Sequence, residues 1–148
     1  MITKTDLQLL CDAAALAGFH RVRPGDLELV QWDAGEKHVP RPLPPGRAAV
    51  YIFKWKDEYL KVGKVNAKSK ARYRSHHYDA ESSNSNLAKS LRDDAKFQAL
   101  IGTSDVGQWI RQNTTRFNIL IPASLGKKFV HFAEAFFILK CNPTFEDS

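Results

Sequence analysis

The sequence predicts an α+β fold: a small mixed or antiparallel sheet of about three strands flanked by helices, with an N-terminal helical extension. Three observations predict it. AAVYIF and YLKVGKV are rich in β-branched and aromatic residues and stand one short polar turn apart, and a third such run, RFNILI, lies far downstream. The segments around them place apolar residues at helical spacing. The chain has 148 residues, 43% hydrophobic and 26% charged, which suits a single core that needs no disulfide or metal staple.

Residues 5–17 read as a helix, with Thr5 as N-cap, Leu7, Leu10, Ala14 and Ala17 at helical spacing, and Gly18 as the stop. Five of the seven prolines fall within 20–47, four of them in PRPLPP. That stretch reads as a connector in which LELVQW forms one edge strand. The division expected is therefore 1–47, a helix and Pro-rich connector, and 48–148, a core.

Strand AAVYIF (48–53) opens the core, KWKDE turns the chain, and YLKVGKV (59–65) returns as the second arm of a hairpin. Residues 67–78 read as a basic helix. ESSNSN (81–86) is a polar loop able to cap a helix at 87–100, which Gly102 ends. DVGQWIRQ reads as a short helix, RFNILI (116–121) as a strand stopped by Pro122, and FVHFAEAFFILK (129–140) as an apolar helix stopped before Pro143. No internal repeat is present.

Composition excludes several classes. No apolar run approaches the roughly 18 residues of a membrane span, so no membrane association is expected. Asp6 and Asp12 interrupt what would be a secretion signal, so a cytoplasmic chain is expected. Cys11 and Cys141 form no CxxC, which argues against a zinc finger and favours two buried free thiols. The net charge of +6 is concentrated: residues 54–74 carry eight basic and two acidic residues, and the rest sums to zero. A basic block in a neutral body points to a polyanionic partner.

Three constellations could carry chemistry. If Phe53 faces Tyr59 across the turn, Tyr51 faces Lys61, and an ammonium beside a phenol favours the phenolate. Arg72 and His76 share a helical face at i and i+4, and the Arg fork matches phosphate oxygens. Glu134 lies in an apolar helix, with His131 and Lys127 on its stripe, and a carboxylate there requires a cation, a partner or water. The simpler alternatives are a strand Tyr packed on a Lys stem, surface decoration and a solvated helix stripe. No Walker loop, GxGxxG, HExxH or GxSxG is present.

Taken in order, these pieces resemble the GIY-YIG nuclease superfamily over residues 48–146. AVY (49–51) stands where GIY is expected, and KVG (61–63) where YIG is expected. Arg72 follows on the next segment, His76 one turn later, and Glu134 on a late helix that leads into Pro143, Thr144 and Phe145. The departures are Ala49 for the first Gly, Lys61 for the second motif's Tyr, and Glu146 for the terminal Asn, with Asn142 nearby but out of register.

The resemblance implies a metal-dependent endonuclease that hydrolyses phosphodiesters, with DNA as the expected substrate. Glu134 would hold one divalent cation, Mg2+ with Mn2+ able to substitute. Tyr51 would act as general base assisted by Lys61, Arg72 would stabilise phosphate charge, and His76 would orient Tyr51 or support the water. Lys54, Lys64, Lys68, Lys70, Arg74 and His77 would contact nucleic acid. Trp55, Tyr73, Tyr78 and Trp109 are candidates for base stacking, with packing an equal alternative for the two tryptophans. The alternative functions are a catalytically silent nucleic-acid-binding module of the same fold and a protein-interaction domain that uses PRPLPP. Monomer and homodimer both remain open.

Overall fold

The computed structural model describes residues 1–68, 73–81 and 86–145. Arg72, Lys70 and Glu146, and most of the start of the expected basic helix, lie outside the described residues. The described fold is α+β, built on an open four-stranded antiparallel sheet of order β1-β4-β2-β3. The strands are β1 (Glu28–Trp32), β2 (Arg47–Trp55), β3 (Glu58–Val65) and β4 (Thr115–Pro122). The expected three are β2, β3 and β4. The fourth is the LELVQW edge strand, which pairs with β4 in the register Glu28↔Leu120 to Trp32↔Arg116.

Helices cover both faces. On one lie α1 (Lys4–Leu16) and α5 (Lys127–Cys141). On the other lie α2 (Leu87–Asp93), α3 (Ala95–Ile101) and α4 (Val106–Asn113), with a 3-10 turn at His76–Tyr78. None of the helices among the described residues is long and apolar enough to cross a membrane.

Alternation along the central strands feeds both layers. Val50, Ile52, Phe117, Ile119 and Ile121 join Leu7, Leu10, Val130 and Phe137 in the first core. Ala49, Tyr51, Phe53 and Leu120 join Trp32, Leu87, Leu91 and Phe97 in the second. Each fully buried large apolar side chain contributes about 2 kcal/mol of transfer free energy. Cys11 and Cys141 are buried free thiols at the first core, and burial pushes the Cys141 thiol up to about 11.

Local sequence sets the helix boundaries. Thr3, rather than Thr5, caps α1, and its backbone N–H donates to Asp6 at 2.8 Å. Asn86 at the end of the polar loop accepts the Lys89 N–H at 2.7 Å and starts α2. The helix expected over 87–100 is broken in two, because Asp94 takes extended geometry and caps α3 through the Phe97 N–H at 3.1 Å. An Asp that binds nearby backbone competes with helix continuation.

The hairpin departs from the expected pairing. Tyr51 faces Gly63 and Phe53 faces Lys61, so the Tyr51–Lys61 pair is diagonal rather than direct. The physical reason is the turn. Only Lys56 and Asp57 separate Trp55 from Glu58, with Lys56 at φ 52°, and a bulge follows between Phe53 and Lys54. The tighter turn shifts the pairing by one residue at Lys54↔Tyr59, and the bulge adds a second from Phe53↔Lys61 onward.

Candidate active site

Tyr51 reaches the site because Gly63 has no side chain. Its ring lies across that glycine on the edge strand β3, and a Cβ built there would sit 2.3 Å from the phenolic oxygen. Beyond the ring, a cleft of about 590 Å³ opens between the end of β3 and α5. Tyr51, Gly63, Lys64, Lys68, Lys127 and Glu134 line it. Residues 144–145 cover the other end of the β3 edge by donating their N–H groups to Tyr59 and Leu60 carbonyls at 2.9 and 2.8 Å. Among the described residues no strand pairs with the outer edge of β3 at Gly63 to Val65, and the cleft sits there.

Glu134 projects from α5 to the Lys64 ammonium at 3.0 Å, with side-chain exposures of 17% and 39%. The cost of a carboxylate in this helix is thus met by a cation from the adjacent strand. Among the described residues no group of three or more metal-ligating side chains converges. The donor set at Glu134 is one carboxylate facing a roomy cleft, with a cation already held against it. That chemistry fits a hard ion that keeps several waters and borrows substrate phosphate oxygens.

The Tyr51 hydroxyl lies 2.6 Å from His77 Nε2. The Leu87 N–H donates to His77 Nδ1 at 3.2 Å, so Nδ1 carries no proton and Nε2 is the donor toward Tyr51. His77 is fully buried, which removes it from the nucleic-acid surface and makes it the partner of Tyr51. His76, expected in that position, is half-buried, and its Nδ1 has no hydrogen-bond partner among the described residues. The 3-10 turn directs the second of the two histidines inward.

Behind Tyr51 lies a buried polar network that the sequence reading missed. Arg116 is fully buried, 4.5 to 5.1 Å from the ring centres of Trp32, Tyr51, Phe53 and Tyr73. It donates to Asn118 Oδ1 at 2.7 Å, the Tyr73 carbonyl at 2.7 Å and the Tyr78 hydroxyl at 3.3 Å. His38 Nδ1 donates to the Thr114 carbonyl at 2.6 Å, which leaves Nε2 to accept from Tyr78 at 2.5 Å. Burial lowers the His38 pKa to about 4; the Thr114 bond opposes this, and the charges of Arg116 and Arg111 add to the lowering. The available signal was Arg116 and Asn118 two apart on one face of a strand. That signal is informative only once the strand is known to be central.

The remaining expected residues divide by place. Lys61 is buried, diagonal to Tyr51 on the same sheet face. Lys54 lies 5.4 Å over the Tyr59 ring and does not line the cleft. Arg74 is exposed in a second cleft with Arg111. Tyr73 and Tyr78 are buried, so neither presents a stacking face. Trp55 and Trp109 pack with each other and with Phe97 at 5.3 to 6.1 Å, which is the packing alternative.

No protein-family model matches the chain, and neither does a curated protein or a solved structure.

Proposed function

We propose that this chain is a metal-dependent endonuclease of the GIY-YIG kind that hydrolyses phosphodiester bonds, with DNA as the favoured substrate. The observation that carries the reading is the convergence of Tyr51, Gly63, Lys64 and Glu134 on one cleft, with Lys68 and Lys127 at its wall. These residues come from separate stretches of sequence: Tyr51, Gly63 and Glu134 are among those the motif order selects, Lys64 and Lys68 belong to the basic block, and Lys61 and His76 do not line the cleft.

In this reading Glu134 would hold the divalent cation, Mg2+ or Mn2+. When bound, the ion supplies Lewis-acid stabilisation of the scissile phosphate and the leaving oxygen. The protein groups do the rest. Lys64 neutralises the Glu134 carboxylate at 3.0 Å and, with that carboxylate on an ion, would be available to a substrate phosphate. Tyr51, once its phenol has given its own proton to solvent in the cleft, takes as phenolate the proton of the attacking water. The His77 Nε2–H bond to the phenolic oxygen holds the ring in place and supports negative charge as the phenol ionises. Arg72, by the resemblance, would add its fork to the phosphate.

The full burial of Tyr51 favours a second reading, the catalytically silent nucleic-acid-binding module, since a general base must meet water. Cleavage of labelled single-stranded, duplex, flap and branched DNA and of RNA, with Mg2+, Mn2+ or EDTA, separates the two. Metal-dependent cleavage supports the nuclease. Binding without cleavage of any substrate supports the silent module.

A further inference from the structure

Tyr78 stands among three arginines. Arg116 donates to its hydroxyl from the core at 3.3 Å, and Arg111 of α4 lies 5.8 Å over its ring. Arg74 and Arg111 then line one surface cleft of about 280 Å³ with Pro40, Ser75, Tyr78 and Asp79. No carboxylate of the described residues forms an ion pair with any of the three guanidinium groups. Asp79, the acidic residue in the cleft wall, accepts the Glu81 N–H at 2.9 Å.

Two guanidinium groups in the cleft, Arg74 and Arg111, with Arg116 buried behind Tyr78, outweigh the one carboxylate of Asp79 and give the cleft a net positive potential. The depressed His38, one hydrogen bond behind Tyr78, feels Arg116 and Arg111. Planar forks presented from two different elements match the oxygens of a phosphate. The cleft is also tied to the candidate active site, because the segment that carries Arg74 carries His77 three residues later, bonded to Tyr51. An anion seated here would lie beside the residues that position the phenol.

We propose that the Arg74–Arg111 cleft is a phosphate-binding subsite that holds a backbone phosphate of the nucleic acid at a distance from the scissile bond, which makes α4 part of the substrate surface. The identity of the ligand rests on the nuclease reading; the anion chemistry rests on the arginines.

The test uses the full chain, with Arg111→Gln, Arg74→Gln and the double variant, and Lys4→Gln as a remote surface control. Binding of a fluorescein-labelled DNA duplex and single strand is followed by anisotropy across a salt series. Titration with inorganic phosphate is followed in parallel by amide NMR shifts at 74–79 and 111. Each cleft variant should bind DNA about tenfold more weakly, as for one lost charged hydrogen bond, with a salt slope lower by about one. Phosphate should move those amides in the wild type and not in the double variant, while Lys4→Gln behaves as wild type. Wild-type DNA affinity and slope in the double variant would overturn the subsite and leave the nuclease reading standing. A wild-type chain that binds no DNA while phosphate still moves the amides would overturn the backbone assignment and the nuclease reading together.

Discussion

His77 donates its Nε2 proton to the Tyr51 hydroxyl across 2.6 Å, and the Leu87 backbone N–H on Nδ1 fixes that direction. The first residue of α2 therefore sets the tautomer of the histidine that holds the candidate base. His77→Phe should lower turnover at least tenfold while DNA affinity changes little, because the phenol loses its orienting donor. It should also cost about 1–3 kcal/mol in urea unfolding, since the Tyr51 oxygen and Leu87 N–H lose a buried partner. Equal losses in affinity and turnover would place His77 in binding instead.

Gly63 is required by close approach. A Cβ there would meet the Tyr51 oxygen at 2.3 Å and its ring carbon at 2.5 Å. Gly63→Ala should destabilise by about 1–3 kcal/mol through overpacking. In the Gly63→Ala/Tyr51→Ala double variant the clash has no second partner, so the two costs should be sub-additive. Additive costs in chemical denaturation would refute the close approach.

Lys64 holds the Glu134 carboxylate at 3.0 Å, where a metal would have to compete with it. Lys64→Ala should lower the Mn2+ concentration at half saturation by up to about fivefold, the scale of a partly exposed ion pair. It should weaken DNA binding at the same time. An unchanged Mn2+ midpoint in calorimetric titration would show that ammonium and metal do not compete for Glu134.

His38 gives the fold an acid-sensitive element. Its folded pKa of about 4 lies below its reference value of 6.5, so the unfolded chain binds more protons between those values. Stability is fully present above pH 6.5 and is lost as pH falls toward 4, by on the order of 3 kcal/mol. Protonation would turn Nε2 into a donor against the Tyr78 hydroxyl, which itself donates to it. Urea midpoints at pH 7.5, 5.5 and 4.5 should fall steeply in the wild type and more gently in His38→Gln. Parallel curves would assign the acid loss to other groups.

Much of the fold was legible because its signals are local. The hairpin strands, RFNILI, the C-terminal helix and the LELVQW edge strand announce themselves by side-chain type and by flanking Gly or Pro. Register was not legible: a two-residue turn at Lys56–Asp57 and a bulge moved Tyr51 from Lys61 to Gly63. Nor was the choice between His76 and His77, since helical spacing from Arg72 selects the first and the 3-10 turn buries the second. Arg116 was invisible for a different reason. Its hydrogen-bond and ring partners come from residues between Trp32 and Asn118 that only the packed structure assembles.

The most direct test of the account compares wild type with Glu134→Ala on the labelled DNA and RNA panel in Mg2+, Mn2+ and EDTA, with binding measured alongside. The account predicts metal-dependent cleavage that EDTA and the substitution both abolish, with affinity retained. Cleavage by Glu134→Ala at the wild-type rate would contradict the assignment of Glu134 and, with it, the cleft as the catalytic centre.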